Sequence, residues 1–429
     1  MRWTLGAAVG IACLVAGYLA TTDYGLITVA ALLVGVFAFT HPRQMVLVAI
    51  AVAIWPAAFG SLLGYGLMTA AIAGASLRHG KRVRALGKTG IALAALAAII
   101  TASHFFHDPP IVVDISEARN HLYATLLGLG FIVAVVLVRL DQIVALRTLA
   151  VSGAASAGYL LIVGQATTSG RIEAETLNEN SVGYVGALAA VAAFGLFART
   201  RRFRWLLVAV APVILAVLSQ SRGAALALVV GVGLVWGLRR TGAARVLVIV
   251  LAPVVAFLAL PVVQSLVATY FSRRDLATAE STARLRLLQL AGDLTLEHPF
   301  IGVGWRAFPD HSLARMGRAM NTHDEYARLA AESGVLALVL FVAVAAVALR
   351  SNAVPAVKAT LVAGLVAFGF ANAMSNPAVS MPVWVLLGVA LAVRSRGRAV
   401  GDQPIRGQRG KQGSERSPVS PRSGHGGLG

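Results

Sequence analysis

Residues 284–308 read RLRLLQLAGDLTLEHPFIGVGWRAF, and residues 321–338 read NTHDEYARLAAESGVLAL. Both belong to one polar segment, 269–333, set between an apolar run at 246–268 and another at 334–349. The segment holds eight of the 18 acids, eight arginines, no lysine, and three of the nine histidines: His298, His311 and His323. A polar island of this size between apolar runs decides the reading of the fold. What surrounds it is scaffold for a membrane, and the island is where a site can form.

Outward from the island the chain is apolar. Hydrophobic residues make up 58% of it and charged residues only 13%, where a soluble domain carries about a quarter charged. Apolar runs lie near 3–20, 25–40, 44–59, 61–77, 88–105, 121–138, 146–165, 181–198, 205–219, 223–238, 246–268, 334–349, 358–374 and 381–394. A helix needs about 20 apolar residues to cross the hydrocarbon core. The expected fold is all-α: a polytopic transmembrane bundle of about 12–14 spans over 1–394, with a large, partly helical outward loop at 269–333. The stretch 44–77 reads as two short spans meeting near Pro56–Gly60, or as a re-entrant hairpin. The tail 395–429 is rich in Gly, Pro, Ser and Arg and cannot bury enough apolar surface to fold. It is expected to be a disordered, basic, cytoplasmic tail close to anionic lipid.

The net charge of +19 is topological rather than a sign of nucleic acid, because the basic residues cluster in short loops between apolar runs. Arg78, Lys81, Arg82, Arg84 and Lys88 share one loop. Arg199, Arg201, Arg202 and Arg204 share a second, Arg239, Arg240 and Arg245 a third, and Arg350 and Lys358 flank a fourth. Placing these loops in the cytoplasm puts both termini there. Loops 106–120, 166–180, 220–222, 269–333 and 375–380 then face outward, and they hold most of the acids. The single cysteine, Cys13, lies in an apolar run, so neither a disulfide framework nor a thiolate metal site is expected.

Four constellations could carry chemistry. Ser219-Gln220-Ser221-Arg222-Gly223 stands at the mouth of a span, where the first helical turn offers unpaired N–H groups and the positive end of its dipole. With Arg222 it suits a phosphate or diphosphate, or it is an N-cap serine beside a snorkelling arginine. Arg284 and Arg286 begin a helix whose apolar face is 287, 288, 290, 291 and 294, suited to the membrane–water interface. His298-Pro299 ends it, and the Gly302-Val303-Gly304 that follows is most simply a turn. In the third, Asn321 or Thr322 caps a helix with His323 in its first turn, where a neutral imidazole can take a proton. The acids Asp324 and Glu325 stand beside it. In the fourth, Asn178 and Asn180 precede the span at Ser181, as helix caps or as hydrogen-bond partners of a sugar. There is no Walker-type loop, no H-E-x-x-H, and no G-x-S-x-G elbow around Ser221, which removes ATP-driven transport, zinc proteolysis and serine hydrolysis from the expected classes.

Taken together, these segments resemble the O-antigen ligase/polymerase family of bacterial membrane glycosyltransferases. The resemblance rests on Ser221-Arg222-Gly223, the arginine ahead of HPFIGVG, the histidine of NTHDEY, Glu332-Ser333-Gly334, and Asn178-Glu179-Asn180, where Glu replaces the proline of the family's Asn-Pro-Asn element. It covers about Arg171 to Leu349. The family's helix-mouth arginine falls on Arg222 and its histidine on His323. Its loop arginine falls best on Arg284, with Arg286 the alternative because the tryptophan usual four residues further on is Leu288 here.

The resemblance implies a membrane-embedded, C-type, inverting glycosyltransferase of the bacterial inner membrane, with its active site on the outer, periplasmic face. The donor would be a glycan on undecaprenyl diphosphate. The acceptor would be a hydroxyl of lipid A–core, of another lipid-linked repeat, or of a protein glycan. Membrane lipids are the other partners, and neither a cofactor nor a metal is implied. Arg222 with Arg284 or Arg286 would hold the diphosphate, and His323 would be catalytic. Asn178, Asn180 and Glu325 would contact glycan or acceptor. The alternative from another class is a transporter or flippase of lipid-linked sugars, which should place charges deep within spans or show repeated halves.

Overall fold

A computed structural model describes residues 33–55, 62–106, 115–166, 172–173, 177–239, 274–374 and 376–401. The apolar runs at 3–20 and 246–268, the turn at Pro56–Gly60, Arg171, Arg240, Arg245 and the tail beyond 401 lie outside these residues.

The fold is all-α. In chain order the helices are α1 (Pro42–Ala53), α2 (Leu62–His79), α3 (Lys88–Phe105), α4 (Ile115–Val138), α5 (Gln142–Val163), α6 (Glu179–Thr200) and α7 (Arg204–Leu218). They continue as α8 (Arg222–Gly237), α9 (Arg274–Glu297), α10 (Phe308–Met316), α11 (Glu325–Leu349), α12 (Pro355–Phe368) and α13 (Pro377–Gly401). A 3-10 helix, Gly80–Leu86, joins α2 to α3, and a two-residue antiparallel ladder pairs Gln165–Ala166 with Ile172–Glu173. Helix starts follow local chemistry. Asp141 caps α5 by accepting from the N–H groups of Ile143 and Val144, and α1, α12 and α13 begin on proline, whose missing N–H costs nothing at that position.

Among the described residues, five helical stretches are long and apolar enough to cross a membrane: Lys88–Phe105, Ala118–Val138, Gln142–Val163, Asn180–Thr200 and Glu325–Leu349. Shorter apolar helices accompany them, α7, α8 and α12 among them. The span Asn180–Thr200 is 89% buried and forms the centre of the bundle, with α5, α7, α8 and α12 packed around it. The outer helices turn large apolar side chains outward, including Ile91 on α3, Leu207 and Val217 on α7, and Leu336 and Val339 on α11. Faces of this kind are at home in lipid, where all backbone polar groups are satisfied within the helix. The protein is a membrane protein.

The two ends of the bundle differ in chemistry. At one, short connections between helices are tied to their neighbours. Arg82 donates to Leu137 O (3.0 Å), Gln142 Oε1 accepts from Val354 N (2.7 Å), and the Arg201 guanidinium stands 6.0 Å from the Trp236 ring centroid. At the other, the polar segment docks on the bundle. Trp305 N donates to Ser103 O (3.1 Å), and the Ser103 and Ser333 hydroxyls are 3.0 Å apart. The stretch 44–77 forms two helices that pack on each other, and Arg78 at the end of α2 donates to the carbonyls of Phe39 and Thr40 just before α1.

Candidate functional site

The site is built from the polar end upward, beginning where α6, α7 and α8 meet. Helix α7 stops at Ser219, Gln220 takes a left-handed φ of 50°, and Ser221 caps α8 by accepting from Ala224 N (3.4 Å). Arg222 is therefore the first residue of α8, and it is exposed. Gly223 lies against Tyr184 of α6 and Phe370 beyond α12, so closely that a Cβ there would overlap both. Asn178 is the N-cap of α6 and accepts from Ser181 N (2.9 Å). The capping role is the one the structure gives it. Asn180 lies half-buried in the first turn of the same helix.

The histidine segment joins this corner through α12. The Tyr326 hydroxyl donates to Leu365 O (2.7 Å), and Gly369 faces the Tyr326 ring. Phe370, the next residue, is the one that packs at Gly223. A continuous path of contacts thus runs from the Arg222 helix mouth to the residues just after His323. The expected cap is corrected in register. Asp324, rather than Asn321 or Thr322, caps α11, accepting from Tyr326 N (2.8 Å) and Ala327 N (2.9 Å). Thr322 instead ties the loop: its hydroxyl donates to Asp324 O (2.7 Å) and reaches Asn372 Oδ1 (3.3 Å). His323 consequently stands outside the helix, half-buried, with a left-handed φ of 54°, a conformation that histidine tolerates better than most residues. Burial raises the Asp324 carboxyl above its usual range, against the opposing pull of its two amide donors.

Helix α9 separates the two loop arginines. Its buried face is Leu287, Leu290, Ala291 and Leu294, packed on Val303, Ala307, Phe308 and Ala331. Leu288, expected on that face, is 40% exposed, about 100° away around the helix. Arg284 is one turn before Leu287 and half-buried, whereas Arg286 points about 200° from Arg284 and is exposed. The far end of α9 is pinned to α10 by a forked ion pair, Arg315 to Glu297 at 3.1 and 2.6 Å, which holds the Glu297 carboxyl below its ordinary range.

The Gly-x-Gly stretch is more than a turn. Helix α11 breaks at Gly334 (φ 84°, ψ 164°), which strips the carbonyls of Ala331 and Glu332 of their usual helical donors. Val303 N and Gly304 N supply the missing bonds, at 2.9 and 3.2 Å, while Val335 N donates to Pro299 O at 2.9 Å. The two backbones approach so closely that a Cβ on Gly302 would strike the Glu332 carbonyl and one on Gly334 the Phe300 carbonyl. Gly334→Ala is expected to cost about 1–3 kcal/mol from backbone strain alone with the overlap added, read as a lower unfolding temperature of the purified protein in detergent.

Beneath this crossing lies a buried triad that sequence reading missed. Arg328 (1% exposed) brings Nη2 to 2.8 Å from Glu325 Oε2, and its Nε to 3.9 Å from Glu332 Oε2. Its guanidinium lies 5.0 Å from the Trp305 ring centroid. Glu325 Oε1 also accepts from Met374 N (2.6 Å), and the Glu332 carboxylate receives the N–H groups of Phe308 and Arg306. Glu325, expected to reach glycan or acceptor, is 1% exposed and occupied in this way. The signal was present as Glu325, Arg328 and Glu332 spaced three and four apart, which puts all three on one helix face. Arg306 was missed as well. It holds a left-handed φ of 71°, and its Nη1 donates to Asn321 Oδ1 (2.8 Å), two residues before His323. An arginine strained in this way beside the histidine loop is itself a functional signal.

An apolar helical bundle whose helix mouths carry Arg222 and the His323 loop is that of a membrane protein. Residues 207–342 match the model of the O-antigen ligase family. That stretch runs from α7 into α11 and includes Arg222, Arg284, Arg286, Arg306 and His323; over it the chain is similar to the O-antigen ligase family. No curated protein matches the chain.

Proposed function

We propose that the protein is a glycosyltransferase moving a glycan from an undecaprenyl-diphosphate lipid to an acceptor hydroxyl, at the end of the bundle opposite the basic loops. The acceptor hydroxyl attacks the anomeric carbon, the bond from that carbon to the diphosphate oxygen breaks, and the proton passes to His323. The configuration inverts in this single displacement. The diphosphate leaves with its negative charge held by Arg222, Arg284 and Arg306, the role such clamps take in other transfers of this kind. The leaving group is good enough that the reading calls for no nucleotide and no metal. Arg284 is preferred to Arg286 because it lies beside the packed face of α9. The observation that carries the proposal is the path of contacts Gly223, Phe370, Gly369 and Tyr326 linking the Arg222 helix mouth to the His323 loop.

Lipid A–core, a lipid-linked repeat and a protein glycan are all acceptors compatible with this chemistry. The test uses purified protein in nanodiscs with an undecaprenyl-diphosphate-linked oligosaccharide, with and without lipid A–core. Transfer to lipid A–core marks a ligase, and growth of the lipid-linked chain in its absence marks a polymerase. No product under either condition, together with movement of the lipid across a vesicle bilayer, would replace the proposal by a transporter. In the same assay Arg284→Ala is expected to reduce donor use at least tenfold, the scale of one charge-assisted bond of about 1.5–3 kcal/mol, and Arg286→Ala to change it little. The reverse order would move the donor contact to Arg286. The buried Glu325–Arg328–Glu332 triad is the feature that most resembles a transporter's intramembrane charges. Its carboxylates are, however, bound to backbone N–H groups of two neighbouring loops, as an architectural element would be.

A further inference from the structure

We infer that the basic end of the bundle carries a groove for one anionic phospholipid, distinct from the proposed donor site at the other end. A groove of about 570 Å³ runs between the 3-10 helix, the first turns of α3 and the second half of α4. Its floor is Leu93 and Leu129, both buried, and Gly87 with the small residues Gly90, Ala94 and Ala97 of α3 keeps it open. The rise from Gly87 to Ala97 makes it about 15 Å long. Among the described residues, Arg84 is the one charged residue that lines it, and it stands at the end nearest the basic loop.

Charge and apolarity together select the occupant. Lys81, Arg84 and Lys88 are exposed around this end, and the loop Arg78–Lys88 contains no acid. Arg82 is committed elsewhere, to the Leu137 carbonyl. The acid of the neighbouring loop, Asp141, is turned onto the amides of α5. Beside the groove α3 is lipid-facing, with Ile91 71% exposed. A polar solute would leave the apolar walls unused, and a peptide would find no hydrogen-bonding side chain in the groove apart from Arg84. A phospholipid satisfies both halves: an acyl chain lies along the α3–α4 groove, and its phosphate meets the cations. Basic clefts between transmembrane helices take acidic lipid headgroups in this way. Each basic side chain near an anionic surface contributes about fivefold in binding, so three contribute on the order of a hundredfold.

The protein is purified in detergent and titrated with phosphatidylglycerol or phosphatidylcholine, and bound lipid is counted by native mass spectrometry. One phosphatidylglycerol is expected to bind in preference to phosphatidylcholine. The triple variant Lys81→Ala, Arg84→Ala, Lys88→Ala should weaken it by on the order of a hundredfold. Ala97→Trp, which fills the groove, should abolish it, and Ala94→Leu, on the exposed side of α3, serves if the tryptophan variant does not fold. Equal binding of the two lipids overturns the inference, as does retention unchanged by both the charge and the filling variants. A photo-crosslinker at Ala94 that captures another segment of this chain instead of lipid overturns it as well, because the groove is then filled by the protein itself. Glycan transfer is not the readout, so the inference stands or falls apart from the proposed reaction.

Discussion

Replacing His323 by alanine is expected to lower glycan transfer by about 10²–10⁴-fold, the range a positioned acid–base group contributes, in a protein that folds as the parent does. The fold should survive because the bonds that shape the loop belong to its neighbours: Asp324 caps α11, and Thr322 ties the turn to Asn372. What alanine changes besides chemistry is the backbone, since residue 323 sits at φ 54°. His323→Asn separates the two effects. Asparagine accepts the left-handed region readily but is no base, so it is expected to be as inactive as alanine. A His323→Asn protein with parental transfer would show that the position serves conformation alone. Unfolding temperature, measured beside transfer, shows whether either variant has simply lost structure.

Arg328→Ala is expected to be the most destabilising single change, at about 3–5 kcal/mol, the cost of breaking a buried ion pair from one side. The guanidinium stands between two carboxylates and over the Trp305 ring, with all three charged groups at or below 1% exposure. Removing it leaves two buried acids facing each other and a void beside the indole. Glu332→Gln should be far milder. The amide oxygen still accepts from Phe308 N, and the remaining Glu325–Arg328 pair is neutral overall. Arg328→Lys should fall between, because an ammonium lacks the planar fork that reaches both acids. Thermal unfolding in detergent ranks the three, and a Glu332→Gln protein less stable than Arg328→Ala would remove the triad from the account.

Much of this was legible in the sequence, for identifiable reasons. Apolar runs near 20 residues mark helices regardless of tertiary detail, and α3, α4, α5, α6 and α11 appear where the runs lie. Basic loops alternate with more acidic ones along the chain, a pattern that charge alone makes visible. The arginines and the histidine stood out because charge is scarce in this chain. What escaped depends on three-dimensional contacts. The capping residue of α11 was placed early because Asn321, Thr322 and Asp324 are all good N-caps, and only the loop path chooses among them. Leu288 was placed on one apolar face with Leu287 and Leu290, and a wide apolar stripe does not say where its edge meets a partner. The triad was passed over because Glu325 was read beside His323 as a glycan or acceptor contact, and Glu332 only as part of the Glu332-Ser333-Gly334 element. Arg306 carries no pattern at all until its backbone angle is known.

The interlocked backbones at Gly302 and Gly334 have a consequence for exchanging parts between relatives. Three amide hydrogen bonds join residues 299–304 to 331–335, while the charged side chains of α11 reach from there to Phe308 and Met374. A chimaera that replaces the polar loop but keeps the host's α11, or the reverse, cuts through this seam and joins two surfaces that were not fitted to each other. Grafts intended to change acceptor choice should therefore carry residues 298–335 as one cassette, with both glycines included.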